Sequence, residues 1–152
     1  MTRREVREHV FRQLFTAQFY RENEEEISEQ MALYFTHPAE DELDFPSCEL
    51  EAEEQEEVLQ KTRAVLEHLD GIDSLIGKTS KGWTVERMNR ADLAILRLGV
   101  YELLYDGEIP SGVAINEAVL LARKFGGEDS YSFVNGILGK IQREESPGGG
   151  EN

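Results

Sequence analysis

The sequence predicts an all-α protein of about six or seven helices. Apolar residues recur at intervals of three and four positions in most segments, which is the spacing that lines one face of a helix. No segment alternates apolar and polar residues for long enough to predict a β-strand. With 152 residues, the chain is about one domain long and can bury a core without disulfides or metal ions.

The first half of the chain contains three predicted helices and one predicted loop. They are a helix over 2–20, a helix over 24–36, a loop over 37–49 and a helix over 50–69. In the first helix, Val6, Val10 and Leu14 recur four residues apart and form one apolar stripe. Pro38 and Pro46 interrupt any helical pattern between the second and third helices, which indicates a loop there.

The second half contains a short helical segment and three longer predicted helices. The segment is bounded by Gly71 and Gly77, and the helices cover 84–105, 112–125 and 130–143. Asp106-Gly107, followed by Pro110, predicts the turn after the helix 84–105. The glycine-rich tail, 144–152, cannot bury apolar area and is predicted to be disordered. We therefore expect one all-helical domain over 1–143.

The net charge is −15, and its distribution matters more than its size. Segment 22–57 carries fifteen acidic residues and no Lys or Arg, which leaves 16 acidic residues against 16 basic ones in the rest of the chain. Exposed charges farther apart than about 8 Å are largely screened at physiological salt. The acidic total therefore does not exclude a nucleic-acid partner at a local basic site. The part over 37–56 is predicted to be a solvated acidic loop.

No motif predicts catalysis, a metal site or a cofactor. His9, His37 and His68 are scattered, and the one cysteine is Cys48, so no group has metal-ligand spacing. The stretch 71–79 resembles a P-loop but has five residues between its glycines, where that loop needs four. No apolar run approaches the roughly 18 residues that cross a bilayer. A single cysteine fits a reducing cytoplasm, where we expect the protein to act.

Three arginines at the start of the first helix form the first candidate binding site. Arg3 and Arg7 are four residues apart, and Arg4 and Arg7 are three apart. Side chains at these spacings share a helix face, where guanidinium groups can hold successive phosphates or stack on bases. The alternative is that Glu5 and Glu8 neutralise them in surface ion pairs, which contribute little energy.

The turn before the last helix forms the second candidate site. The stretch reads Lys124-Phe125-Gly126-Gly127-Glu128-Asp129-Ser130-Tyr131-Ser132-Phe133. The N-terminus of a helix offers free N–H groups to an anion, and exposed aromatic rings can stack on bases. The alternative is that Asp129 and Ser130 cap the helix and that Phe133 belongs to the core.

Four stretches of the chain carry a family resemblance. They are Arg3-Arg4 with Arg7-Glu8 and Leu14-Phe15; Leu96-Arg97-Leu98-Gly99-Val100-Tyr101-Glu102-Leu103; Ile109-Pro110 with Val113-Ala114-Ile115-Asn116-Glu117-Ala118; and Phe125-Gly126 with Asp129-Ser130 and Phe133-Val134-Asn135-Gly136-Ile137-Leu138. In this order they resemble the NusB family of bacterial transcription antitermination factors. The match is dense over 83–139, clear over 3–15 and absent over 37–56.

The resemblance implies an all-helical fold of two small packed bundles and no enzymatic activity. NusB-like proteins bind the boxA element of nascent ribosomal RNA transcripts together with the ribosomal protein NusE, and the pair joins an RNA polymerase complex that resists termination. By matching positions, the resemblance places the RNA surface on Arg3, Arg4, Arg7, Lys124, Phe125, Asp129, Ser130 and Phe133, and the partner surface on Glu86 and Asp92. In this interpretation, Asp129 moderates RNA affinity by repulsion. Whether the free protein forms a homodimer stays open.

Two other functions stay open beside this one. The first is an adaptor whose acidic segment binds a basic protein without touching RNA. The second is a stand-alone relative of the NusB-like domains that are fused to ribosomal RNA cytosine methyltransferases, which would need a catalytic domain that these 152 residues do not contain. Asn116 and Asn135 also have two interpretations, because an amide within an apolar helix is either functional or a buried, hydrogen-bonded structural group.

Overall fold

The computed structural model describes residues 2–20, 24–33 and 50–145. Within these ranges the chain forms seven α-helices, one short 3-10 turn and no strand. The helices are α1 (Arg3–Ala17), α2 (Glu24–Leu33), α3 (Ala52–Glu67), α4 (Leu69–Thr79), α5 (Arg90–Leu104), α6 (Ser111–Phe125) and α7 (Ser130–Glu145). The predicted all-α class and the predicted number of helices are confirmed.

The chain divides into two compact units, with the boundary between Ala64 and Val65. The first unit contains α1, α2 and most of α3, and the second contains the helices from α4 to α7. Among the described residues, no helix has the length and apolar character that crossing a bilayer requires.

The first unit is built around the apolar stripe of α1. Thr2 begins this helix, because its Oγ1 accepts a hydrogen bond from the backbone N–H of Glu5 at 3.1 Å. Val10 and Leu14 are buried, as is Val58 of α3. The stripe predicted from the four-residue spacing therefore forms the core of this unit.

The second unit is built around α5, which is buried over most of its surface. Helix α5 packs against α4, α6 and α7, and α6 and α7 pack against each other. Gly99 lies where these helices approach closely, since a Cβ placed there would lie 2.8 Å from Cδ1 of Leu138 and 3.4 Å from Cβ of Ala118. Only a residue without a side chain allows this approach without displacing its neighbours.

Two helix predictions in the second unit need correction. The predicted helix over 84–105 is interrupted, because a 3-10 turn over Val85–Arg87 precedes α5. Asn89 begins α5, and its Oδ1 accepts hydrogen bonds from the backbone N–H groups of Ala91 and Asp92 at 2.8 and 3.2 Å. An asparagine in this role favours a new helix start over a continuous helix.

Helix α4 is longer than the segment predicted between Gly71 and Gly77. It spans Leu69–Thr79 and contains both glycines. Each glycine weakens a helix by about 1 kcal/mol relative to alanine, but Ile72 and Ile76 are completely buried and offset that cost. A helix at this place also removes the resemblance of 71–79 to a phosphate-binding loop.

The acidic segment and the tail are described only in part. The predicted loop over 37–49 lies outside the described residues, as do His37 and Cys48. Residues 52–56, which the predicted acidic loop shares with the predicted helix over 50–69, form the start of α3, so the helix prediction holds there and the loop prediction does not. There the backbone N–H of Glu51 donates to Oε1 of Glu54 at 3.0 Å. The tail prediction is wrong at residues 144 and 145, which belong to α7.

Candidate nucleic-acid interface

The arginines of the first unit differ in exposure. Arg3 and Arg4 lie in the first turn of α1 and are exposed to solvent. Arg7 is only 6% exposed and lies among the buried residues of α1. The shared helix face expected from the spacing therefore does not present all three guanidinium groups to solvent equally. Arg3 and Arg4 are the exposed arginines of this helix.

The turn between α6 and α7 is compact and closed by hydrogen bonds. Ser130 is buried, and its Oγ accepts a hydrogen bond from the backbone N–H of Gly127 at 2.8 Å. Gly126 leaves no room for a side chain, because a Cβ there would lie 2.6 Å from the carbonyl oxygen of Ala122 and 2.5 Å from Cβ of Ser130. This turn places the basic end of α6 directly beside the N-terminus of α7.

Cations and aromatic rings lie against each other around this turn. Nζ of Lys124 lies 5.4 Å from the ring centroid of Phe125. Cζ of Arg123 lies 4.2 Å from the ring centroid of Tyr131, and both of these side chains are exposed. A cation over a ring face is attracted by the ring quadrupole. Positive charge and stacking area are thus held together on one surface.

Negative charge is present at the same place. Asp129 is exposed at the start of α7, and its backbone carbonyl accepts a hydrogen bond from the N–H of Phe133 at 3.2 Å. Phe133 itself is half-buried. An acid beside a helix N-terminus is favourable for the helix but repels an incoming phosphate.

Exposed Lys124 and Asp129 and the half-buried rings of Phe125 and Phe133 therefore lie around one turn of the second unit, and Ser130 is buried within it. The structure adds Arg123, which contacts Tyr131, and Trp83, whose ring lies edge-to-face with Phe133 at 6.4 Å between centroids. Neither residue belongs to the predicted surface.

The two predicted partner-binding acids lie near the start of α5 and differ in environment. Glu86 is exposed in the 3-10 turn. Asp92 is only 8% exposed, and its Oδ1 is buried with no hydrogen-bond partner within the described ranges. A buried acceptor without a partner costs about 1–3 kcal/mol.

Asn116 and Asn135 are exposed, so the interpretation of both as buried structural amides is wrong. They lie on α6 and α7, on the sides that do not face the core. The buried polar residues of these two helices are instead Glu117 of α6 and Ser130 of α7. Helical spacing from the neighbouring core residues Ala114, Ala118 and Leu121 places position 117, and not 116, on the inner face.

The family model and the similar proteins all indicate the same family. The model of the NusB family matches residues 4–143. A transcription antitermination protein NusB of Agathobacter rectalis is 44% identical over 141 residues, which is 93% of this chain and 99% of the relative. Another from Lachnoclostridium phytofermentans is 44% identical over 142 residues, covering 93% of this chain and 98% of the relative.

Solved structures have the same fold. A crystal structure of T. maritima NusB superimposes with a TM-score of 0.78 at 32% identity and covers 100% of this chain and 99% of that chain. A structure of the antitermination factors NusB and NusE with double-stranded RNA reaches a TM-score of 0.70 at 24% identity, covering 91% of this chain and 94% of that chain. On the family match and on relatives that align over nearly their whole length, this chain belongs to the NusB family.

Proposed function

We propose that this chain is a transcription antitermination factor that binds boxA-type RNA of nascent ribosomal RNA transcripts together with the ribosomal protein NusE. The pair joins the RNA polymerase antitermination complex. The observation that carries the proposal is the turn between α6 and α7, where Arg123 and Lys124 lie against the rings of Tyr131 and Phe125. The antitermination relatives align over 93% of the chain.

The RNA-contacting groups have different tasks in this proposal. Arg3, Arg4 and Lys124 are exposed cations that contact phosphates, and this type of contact makes affinity depend on salt. Phe125 and Phe133 are half-buried rings that offer stacking area to single-stranded bases.

The remaining predicted residues act on the position or strength of those contacts. Ser130 holds the turn through its bond to Gly127, so it positions the RNA surface without presenting its own hydroxyl to solvent. Asp129 lowers RNA affinity by repulsion. Arg7 is 6% exposed, so it contributes its positive charge to the RNA site from within its unit and not by direct contact with a phosphate.

The NusE partner is proposed to dock at the start of α5. Glu86 supplies an exposed negative charge, and Asp92 supplies a carboxylate oxygen that has no hydrogen-bond partner among the described residues. A basic partner is attracted to both acids and brings positive charge to a protein whose net charge is −15. We therefore expect weak RNA binding by this chain alone and stronger binding by the pair.

This function is one of binding, without a catalytic step, and it belongs in the cytoplasm, where nascent transcripts are made. The competing adaptor function differs in one observable respect. An adaptor binds its basic partner through acidic groups and gains nothing from RNA.

The test is a titration of boxA-type single-stranded RNA with the full chain, with and without NusE, at two salt concentrations. Wild type should bind more tightly with NusE and lose affinity as salt rises. The double variant Arg3→Ala with Arg4→Ala should bind more weakly and reduce the salt slope by roughly 1.4, because each phosphate contact to a single strand contributes about 0.7.

A matched control removes the same charge elsewhere. Arg63 of α3 and Arg143 of α7 are exposed and lie outside the proposed surface. The double variant Arg63→Ala with Arg143→Ala should keep the wild-type slope. If NusE binds this chain but the pair binds RNA no better than NusE alone, the RNA function is wrong and the adaptor function replaces it.

A further inference from the structure

Trp83 is the single tryptophan of the chain, and more than half of its side chain faces solvent. It is 56% exposed, in the connection between α4 and the 3-10 turn. Tryptophan is strongly buried on average in folded proteins, and an exposed indole costs free energy in the unbound protein. An exposed tryptophan beside a candidate binding surface therefore calls for a functional explanation.

The backbone around Trp83 is held in one conformation. Its N–H donates to the carbonyl oxygen of Ser80 at 2.9 Å. The buried Ser80 hydroxyl lies 2.8 Å from the carbonyl oxygen of Ile76 and 3.1 Å from that of Trp83. Gly82 has φ of 87°, the left-handed conformation that closes this tight turn. The indole is consequently displayed from a closed turn anchored to the end of α4.

The indole contacts Phe133, one of the residues to which the RNA surface is assigned. The two ring centroids are 6.4 Å apart and the ring planes meet at 69°, an edge-to-face arrangement. This contact leaves indole surface open to solvent, and half-buried Phe133 fixes where that surface lies. Lys81 of the connection and Glu86 and Arg87 of the 3-10 turn are all exposed, which gives residues 81–87 a net charge of +1.

We propose that Trp83 is a further RNA-contacting residue, whose indole stacks on a base of single-stranded RNA beside Phe133. The proposal rests on the RNA-binding function proposed above and extends its surface from α7 to the connection after α4. Two aromatic rings at a fixed angle, with cations close by, are what single-stranded RNA binding uses to hold successive bases. Stacking tolerates any base, so Trp83 contributes affinity more than sequence preference.

The intrinsic fluorescence of the protein provides a direct test, because Trp83 is its only tryptophan. Full-length protein with NusE is titrated with boxA-type RNA, and tryptophan emission is followed at an excitation where tyrosine does not absorb. Anisotropy of the same RNA carrying a fluorescent label measures binding independently. The Trp83→Ala variant with NusE supplies the background emission. We expect Trp83 emission to be quenched in step with the anisotropy change.

Variants separate stacking from a loss of structure. Trp83→Ala should weaken RNA binding roughly 5- to 100-fold, the range of one base–aromatic stack. Trp83→Phe should restore most of that loss, since a phenyl ring also stacks. Tyr105→Ala is the matched control, because Tyr105 is an aromatic residue at the C-terminal end of α5 that is 45% exposed and lies outside this surface. It should bind RNA like wild type.

Three results would overturn the role of Trp83. If the labelled RNA binds but the emission of Trp83 does not change and Trp83→Ala binds normally, the proposal is wrong while the RNA function stands. If the emission changes on adding NusE and not on adding RNA, Trp83 belongs to a protein contact instead. If no anisotropy change occurs with any variant, the RNA function itself fails and the role of Trp83 fails with it.

Discussion

Arg97 of α5 forms a two-point ion pair with Asp73 of α4. Nε of Arg97 donates to Oδ1 of Asp73 at 2.8 Å, and Nη2 donates to Oδ2 at 2.7 Å. The two side chains are only 13% and 26% exposed. Parallel, charge-assisted hydrogen bonds with partial shielding from water are among the stronger polar contacts in proteins. This pair therefore fastens α4 to the central helix of the second unit.

The first prediction follows from the geometry of this pair. Arg97→Lys keeps the charge but cannot make two parallel hydrogen bonds, so the free energy of unfolding should fall by about 1–2 kcal/mol. Urea unfolding followed by circular dichroism measures the difference. Lys78→Met is the control, because Lys78 and Glu145 are 3.8 Å apart and 70% and 35% exposed. Loss of that exposed pair should cost less than about 0.5 kcal/mol. Equal effects of the two substitutions would contradict the prediction.

The second prediction concerns Gly126, which ends α6 for a steric reason. Its φ is −91°, so it does not need the left-handed conformation often found after a helix. Gly126→Ala instead forces Cβ against the carbonyl oxygen of Ala122 and against Ser130, which should destabilise the protein by about 1–3 kcal/mol. Thermal unfolding measures the loss.

A second glycine, inside α7, is the matched control for that substitution. A Cβ added at Gly136 would meet no neighbouring atom within 4 Å beyond the backbone of its own helix. Gly136→Ala should therefore stabilise the protein by up to about 1 kcal/mol, the difference in helix propensity. If Gly126→Ala were as stable as wild type, the turn would accommodate a Cβ by a small shift. The close approach of Ser130 would then not be the reason for a glycine at this position.

The third prediction concerns the pH dependence of stability through His9. Burial lowers the pKa of His9 below its usual value of 6.5, although nearby Glu8 and Glu5 partly oppose the shift. The unfolded chain therefore takes up a proton near pH 6.5 while the folded protein does not. The contribution of His9 to the free energy of unfolding is therefore fully present above pH 6.5. It decreases as pH falls, by at most about 1.4 kcal/mol per pH unit.

The measurement compares wild type with His9→Gln, which keeps a polar side chain and does not titrate. Between pH 7.5 and pH 5.5, wild type should lose more stability than the variant, by at most about 1.4 kcal/mol. The comparison removes the contribution of the carboxylates, since both proteins carry the same acidic residues. Parallel stability curves for the two proteins would show that the buried imidazole does not contribute.

The local spacing of apolar residues predicts most helices of this fold, but it does not predict contacts between residues that are far apart in the sequence. The stripe of Val10 and Leu14 predicts α1 because apolar periodicity depends only on near neighbours. The start of α5 at Asn89 was not predicted. Asparagine caps a helix only where the backbone lets its side chain accept hydrogen bonds from the N–H groups of the first turn, and the sequence does not show that geometry. The pair of Arg97 with Asp73 joins residues 24 positions apart and has no local signature.

The candidate site also contains residues that the sequence predicts and residues that only the packing brings together. The basic and aromatic residues around the α6–α7 turn are adjacent in sequence, so composition alone marks them. Trp83 and Phe133 meet only through the packing of the second unit, and no spacing rule relates them. Arg7 is buried because it lies three, four and seven residues before Val10, Phe11 and Leu14, on the same face of α1. Residue type alone predicts the opposite, since arginine is mostly exposed in folded proteins.

The last prediction concerns Asp129 and follows from its place beside the proposed RNA surface. It is exposed at the N-terminus of α7, so Asp129→Asn removes a charge that repels phosphates and keeps a side chain that helix starts tolerate. RNA affinity of the pair with NusE should rise about 2- to 5-fold at low salt, and the gain should shrink as salt screens it. Glu144→Gln removes the same charge at the other end of α7, where it is exposed and beyond a Debye length of about 8 Å, and should leave affinity unchanged. If both substitutions raise affinity equally, Asp129 acts only through the net charge of −15. That result would contradict the placement of the RNA beside the α6–α7 turn.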